Sequence, residues 1–376
     1  MGLILLATFG LGPGALGSAH AQNSADARTP GTGAPDLILV VLDDLRAGAA
    51  DSGFLGELAR RGARFDRARS AAGTTRAAHA SLLSGVHAGV HGVLGEPGEG
   101  GAAFPAALPM LPELLAEAGY GILGASTAPN GVAELGLRGL EGLGPTGDPA
   151  LLGAKLAASL GGPRPTFVWL HAAAIRPPDE RAARELASSQ DAWLRAVLGP
   201  VIQEHSGRPR ALLITSDHGL HLGENGLGPN TPSLFEAALA IPMILLAPEV
   251  EPIRVARTVS GVDVAPTLLG LAGVPVPDHL QGHSLLHDAR GGLGHWGFCW
   301  SELGTLENQL VCLTWGPDKL VANRITRSEA VLYDLVADPG ETTNAKDEEA
   351  EMAVFLAGHM GAIESEGAAL RARLGL

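Results

Sequence analysis

The run "DLILVVLDDL", Asp36 to Leu45, constrains the fold more than any other stretch of this sequence. It is apolar without interruption and then stops on two adjacent acids. A strand that is apolar on both faces needs cover on both, which a central parallel sheet layered between helices supplies. The theme recurs in "PTFVWLHA" and "RALLITSDHG", apolar strands that end on polar residues, and "GILGAST" is a further strand candidate. Helical patterns lie among them at "FLGELARRGARF" and "LPMLPELLAEAGY". Strands alternating with helices indicate an α/β sheet, in which chemistry gathers at the carboxyl ends of the strands. Asp43, Asp44, His171, Asp217 and His218 all fall at such ends.

With 376 residues, 46% of them hydrophobic and 18% charged, the chain is long enough for one large domain with an appendage. Its 52 Gly and 26 Pro are spread along the chain, as tight connections between regular elements require. From about Gly291 the texture changes. "WGFCWSELG", "NQLVCLTWGPDKLVAN" and "EAVLYDLVADPGETTN" read as short antiparallel strands, and "AKDEEAEMAVFLAGHMGAIESEGAALRARL" reads as a closing charged helix. The expected division is a main domain over 36–290 and a smaller C-terminal unit over 291–376. A formal net charge of -14 argues against a nucleic-acid partner, because a phosphate backbone selects basic surface.

The opening "MGLILLATFGLGPGALGSAHA" combines an apolar run with Ala19-His20-Ala21, a small-x-small cleavage pattern. It lacks a basic start, since no Lys or Arg precedes Arg28. Early Gly and Pro break the run, which favours an export signal over residues 1–21 instead of a membrane helix. Residues 22–35 then form a polar, small-residue linker. The expected destination is periplasmic or extracellular, with no integral membrane segment in the mature chain. Cys299 and Cys312 make neither a disulfide framework nor a metal spacing and are read as reduced packing residues.

Asp43 and Asp44 at the end of a buried strand repel one another and are costly to desolvate unless a cation or hydrogen-bond donors satisfy them. The competing reading is a solvated turn with one acid capping the next helix. "TSDHG" at 215–219 shifts the balance by adding Asp217 and His218 at a second strand end. Three carboxylates and a histidine from two strand ends suit a hard divalent cation.

These blocks resemble, in order, those of the sulfatase family within the alkaline-phosphatase-like superfamily. "PDLILVVLDDLR" resembles the opening metal strand, and "RFDRARSAAGTTRAAHASLLSGVHAGVHGV" the nucleophile block. "ALLITSDHGLHLGENG" resembles the second metal strand, and "VSGVDVAPTLLGLAGVPVPDHLQGHSLL" and "LYDLVADPGETTN" resemble later signatures. The resemblance implies an α/β fold with an alkaline-phosphatase-like, mostly parallel central sheet flanked by helices. A smaller C-terminal antiparallel sheet with a helix completes it. It also implies that Asp43, Asp44, Asp217 and His218 bind the metal.

Counting back from "ASLLSG", Thr75 takes the nucleophile position and His79 falls four residues later. Formylglycine-type sulfatases carry Cys or Ser and then Arg there. This chain has no cysteine at that position to oxidise and is similar to the branch reading Thr-x-x-x-His, so no formylglycine is implied. A threonine near a helix N-terminus has exposed amides to favour an anion, and a neighbouring divalent ion lowers the effective pKa of its hydroxyl. His79 is the implied helper for the nucleophile or leaving group. The alternative has Thr74 and Thr75 as loop and cap residues.

Several family positions depart from the pattern. The "Gly-Lys-Trp-His" block reads "GASTAPNG" here, with Ala128-Pro129-Asn130, and "Asp-Pro-His" is replaced by Ala174-Ile175-Arg176. A later lysine is Thr231, and the histidine of "Gly-Glu-His-Gly" is Asn225. Arg176 offers a replacement for the lost positive charge, or pairs at the surface with Asp179 or Glu180. His171 faces the site as a substrate-binding group, or is a buried histidine bonded to backbone; His221 carries the same two readings.

The expected function is a metal-dependent hydrolase of a small sulfate or phosphate ester, with Thr75 as nucleophile. One or two divalent cations are expected, calcium or magnesium first and manganese or zinc second. Two alternatives stand beside it. One is phosphoryl or phosphoglycerol-type transfer, and the other is a weakly active or inactive relative that binds metal and anion.

Overall fold

The computed structural model describes residues 33–95, 103–128, 136–140, 147–203, 207–292, 297–304, 309–326 and 330–376. The expected signal, residues 1–21, and nearly all of the linker lie outside the described residues, as do Pro129 and Asn130.

The apolar run Asp36–Leu42 forms β1, and all seven of its residues are buried. Alternation explains why no polar residue interrupts it. Leu37, Leu39 and Val41 enter one core with Phe167 and Trp169. Ile38, Val40 and Leu42 enter a second core with Val168 and Leu170 on the opposite face. Each such side chain removed from water contributes about 1.5–3 kcal/mol, so neither face tolerates a polar residue cheaply.

The central sheet contains β1 with β2 (Ala63–Arg69), β3 (Gly121–Ser126), β4 (Thr166–Ala172), β5 (Arg210–Ser216), β6 (Met243–Leu246) and β7 (Ile253–Ser260). Their spatial order is β3-β4-β1-β5-β6-β2-β7. The strands run parallel except β6, which is antiparallel to both β5 and β2. Helices α1 (Gly53–Ala59), α2 (Thr75–Ser84), α3 (Ala88–His91), α4 (Leu111–Glu117), α5 (Pro149–Ser159) and α6 (Glu180–Gln203) alternate with the early strands. Helices α7 (Glu236–Leu239), α8 (Val264–Ala272) and α9 (Leu286–Ala289) follow. Residues of α2, α4 and α8 pack into the first core, and residues of α1, α5 and α6 into the second. This is the α/β sheet with helices on both faces expected from the sequence.

One expected helix is shorter than "FLGELARRGARF" suggests. Helix α1 ends at Ala59, and the last residues of that stretch belong to β2. Gly62 marks the change, because a Cβ there would lie 2.3 Å from the Leu245 carbonyl oxygen of β6. The close backbone approach seats β2 in the sheet and sends Phe65 into the first core.

The C-terminal sheet, in the order β11-β10-β9-β8, is wholly antiparallel. It comprises β8 (Phe298–Gly304), β9 (Gln309–Trp315), β10 (Asp318–Asn323) and β11 (Val331–Asp334), and α10 (Ala350–Leu374) covers it. Ala353, Leu356 and Met360 of α10 pack on Trp300, Leu313, Leu320 and Leu332. Cys299 and Cys312 are buried free thiols whose pKa values burial pushes up to about 11 and about 12. Among the described residues no helix is long and apolar enough to cross a membrane.

Candidate active site

The parallel registers that place β1 between β4 and β5 also assemble the site. Leu42 is opposite Ala172 on one side and Ser216 on the other. The next residues, Asp43 and Asp217, therefore emerge from neighbouring strand ends, whose backbones lie about 4.8 Å apart in any sheet. Asp44 then turns the chain in the left-handed region at φ 59°, which aspartate tolerates better than most side chains. Its backbone N–H donates to Asp217 Oδ1 at 3.1 Å. Ser216 steadies the same turn by accepting the Leu45 N–H at 3.1 Å and donating to the Leu42 carbonyl.

Thr75 approaches from a second direction, as the first residue of α2. Gly73 sits where a Cβ would lie 2.7 Å from the Ser233 carbonyl oxygen, so the loop passes between its neighbours only without a side chain. Backbone bonds from Gly73 N–H to Glu302 carbonyl (3.2 Å) and from Glu302 N–H to Ala71 carbonyl (3.0 Å) fasten the loop to β8. The Thr75 hydroxyl lies 3.2 Å from His218 Nε2. His79, one turn along α2 and fully buried, contacts the Thr75 carbonyl through Nδ1 at 3.0 Å. The imidazole at the Thr75 hydroxyl is thus His218, whereas His79 anchors the backbone of the same residue.

Three carboxylates are buried here. Asp43, Asp44 and Asp217 are 6%, 6% and 1% exposed. Burial, with Asp217 beside it, pushes the Asp43 pKa well above the ordinary carboxylate value. Burial acts the same way on Asp217, but His218 and His79 outweigh it and hold Asp217 low. Burial alone would lower His218; Asp217 and Asp44 reverse this and raise it. His79 is pushed down to about 4 by burial and then by His171.

Hydrogen-bond accounting tests whether these residues suit a cation. His218 Nδ1 is 2.6 Å from the Gly219 carbonyl, an acceptor, so Nδ1 carries a proton whatever the state of Nε2. That nitrogen lies 3.4 Å from Asp217 Oδ2, which is buried without a hydrogen-bond partner. Nε2 also faces the Thr75 hydroxyl at 3.2 Å, so the orphaned atom is Asp217 Oδ2, a buried carboxylate oxygen that a divalent cation would satisfy. Asp217 and His218, with Asp44 Oδ1 3.5 Å from the same ring and Asp43 also buried, are donor types that suit the metal expected from the sequence.

The remaining sequence candidates divide. Arg176 is exposed and lines a cleft of about 20 Å³ with Asp44, His218, His221, Asn230 and Thr231. His221 is buried, and its Nε2 has no hydrogen-bond partner. His171 is 1% exposed and is not among the side chains lining that cleft. It bonds Ser126 Oγ through Nδ1 at 2.8 Å and Asp43 Oδ1 through Nε2 at 2.8 Å. Both of these partners are side chains. Gln190 of α6, which nothing in the sequence singles out, donates from Nε2 to the Asp43 carbonyl at 2.8 Å.

Residues 185–274 match the family model described as Sulfatase. Over 76 residues the chain is 40% identical to an extracellular sulfatase SULF-1 homolog from Drosophila melanogaster, covering 20% of this chain and 7% of that protein. The match therefore spans a small fraction of the relative's length. Among solved structures, a 2-O GAG sulfatase superposes with a TM-score of 0.73 at 18% identity, over 90% of this chain and 92% of that one. The phosphonate monoester hydrolase of Agrobacterium radiobacter also gives 0.73, at 16% identity, over 89% and 96%. The fold is that of these proteins, a mostly parallel sheet between helices with a separate small antiparallel sheet.

Proposed function

We propose that the protein is a metal-dependent hydrolase of the sulfatase family that opens a sulfate or phosphate-type ester with Thr75 as nucleophile. One observation carries this reading. The Thr75 hydroxyl, at the start of α2, lies 3.2 Å from His218 Nε2 in a cluster of buried carboxylates. The match to the sulfatase family model and the likeness to both a sulfatase and a phosphonate monoester hydrolase support it.

In this reading Asp43, Asp44, Asp217 and His218 hold a divalent cation. When bound, the ion supplies charge that lowers the pKa of the Thr75 hydroxyl and polarises the ester. The hydroxyl proton leaves to solvent, and Oγ forms a bond to sulfur or phosphorus as the bond to the leaving-group oxygen breaks. That oxygen takes a proton from solvent. Water then opens the threonyl ester, restoring Thr75 and releasing the inorganic anion. The α2 amides favour the anionic head group, and Arg176 on the cleft wall adds fixed positive charge. His79 keeps Thr75 in place through its carbonyl.

Threonine has one hydroxyl, so it lacks the second oxygen with which a formylglycine hydrate expels sulfate. Cleavage of its ester depends on an activated water, which favours phosphate-type esters over unactivated sulfates. The apolar start ending at Ala19-His20-Ala21 supports export. The test compares turnover of aryl sulfate, phosphate monoester, phosphodiester and phosphonate monoester. Phosphate-type esters are expected to turn over faster, with activity falling at least ~1,000-fold in Thr75→Ala. Turnover that survives Thr75→Ala excludes this nucleophile.

A further inference from the structure

Behind the metal cluster, a second group of side chains converges. One ligand atom each from Asp43, His79 and His171 lies within 4.8 Å of the other two, and all three residues are buried. They come from separate elements: the end of β1, the second turn of α2 and the end of β4. The rings of His79 and His171 meet edge to face at 4.7 Å.

The hydrogen bonds leave this group unbalanced. His79 Nδ1 is committed to the Thr75 carbonyl, which only accepts, so Nδ1 bears a proton and the neutral ring carries a bare lone pair on Nε2. That Nε2 is buried with no partner, in a residue that is 0% exposed. A buried acceptor left unmade costs about 1–3 kcal/mol, and the neighbours that converge on it include a carboxylate, another acceptor. Water has no access to the atom, whereas a bare cation is smaller.

We propose that Asp43, His79 and His171 form a second divalent-cation site, sharing Asp43 with the first. The ligand set is two imidazoles and one carboxylate, which suits zinc, cobalt or manganese over calcium or magnesium. A tetrahedral site places ligand atoms about 3.3 Å apart, so side-chain adjustments of an ångström or so close the present arrangement around an ion. His171 exchanges its bond to Asp43 for the cation. Its Nδ1, now protonated, donates to Ser126 Oγ, which fixes the ring as outer partners of metal-bound histidines do. The inference rests on the proposed function only through the shared ligand Asp43. Its consequence is that the anchor of the Thr75 backbone becomes a metal ligand.

The test uses the full chain, stripped with chelator and reloaded with Co²⁺, Zn²⁺ or Ca²⁺ alone. Metal content is expected to reach two per chain with Co²⁺ or Zn²⁺ and one with Ca²⁺. His171→Ala and His79→Ala each lower the Co²⁺ content to one, and Asp217→Ala leaves the imidazole site filled. With ¹⁵N-histidine and Mn²⁺, pulsed EPR of the unmutated protein counts coordinated imidazoles without relying on any variant. Three are expected if both sites fill. A single coordinated imidazole, or a Co²⁺ content of two unchanged by His171→Ala, overturns the proposal. Loss of the first site alone, seen as one ion that disappears in His171→Ala but persists in Asp217→Ala, would instead strike the proposed function.

Discussion

Around Lys319, two fixed cations meet two carboxylates. Lys319 Nζ lies 2.7 Å from Glu341 Oε1 and 3.1 Å from Glu236 Oε1, and Arg69 is 2.8 Å from Glu236 Oε2. Lys319 is 0% and Arg69 5% exposed. At the ends of β1 and β5, by contrast, Asp43, Asp44 and Asp217 meet imidazoles: His171 is 2.8 Å from Asp43, and His218 is 3.5 Å from Asp44. The first cluster balances its charge from within and joins the small sheet to the central one. The second carries excess negative charge and an acceptor without a donor. Burial by itself therefore says little about function; the sign left over after pairing is what marks a site for a cation.

Breaking the balanced cluster should have the largest effect. Lys319→Met leaves Glu341 buried without its cation and Glu236 with Arg69 alone, and removing one partner of a buried pair costs about 3–5 kcal/mol. Urea unfolding monitored by far-UV circular dichroism measures it. A loss below about 1 kcal/mol would show that the two carboxylates do not depend on Lys319 for their balance.

Acid should expose the same balance at slightly smaller cost. Burial would raise Glu236, but Arg69 and then Lys319 outweigh it and hold its pKa at about 2. A carboxylate depressed on folding stabilises above its unfolded pKa, near 4.5, and that stabilisation disappears as pH falls toward 2. At about 1.4 kcal/mol per pKa unit the contribution is about 3 kcal/mol. In Glu236→Gln, the loss of stability between pH 5 and about 2.5 should shrink by that order, in denaturant titrations at each pH.

The unbalanced cluster should respond to metal instead. A divalent cation at 100 times its dissociation constant stabilises by about 2.7 kcal/mol, read as a rise in melting temperature after chelation and reloading. Asp43→Asn sharpens the contrast. It removes one repelling carboxylate, so in chelator the variant should unfold no earlier than the parent, by about 1 kcal/mol at most, yet gain less from metal. An undiminished metal shift in Asp43→Asn removes Asp43 from the site.

The layers were legible in the sequence because apolar periodicity is a local property. "DLILVVL" without a polar residue demands cover on both faces, and its alternate residues enter the two cores. That Asp43 and Asp217 each fall at the end of a buried strand follows from the same pattern, as does Thr75 at a helix start ahead of the Gly85 cap. Where local signals compete, the reading failed: "ARRGARF" carries helical spacing, and only the approach of β6 at Gly62 makes its end a strand. Partnerships across the fold carried no local signal. His171 stands 128 positions from Asp43, and Lys319 stands 83 from Glu236. Side chains so far apart in the chain meet only because particular strands and helices become neighbours. Periodicity decided that this protein would build a covered sheet, while the order in which the strands packed decided which carboxylate would meet a lysine and which an imidazole.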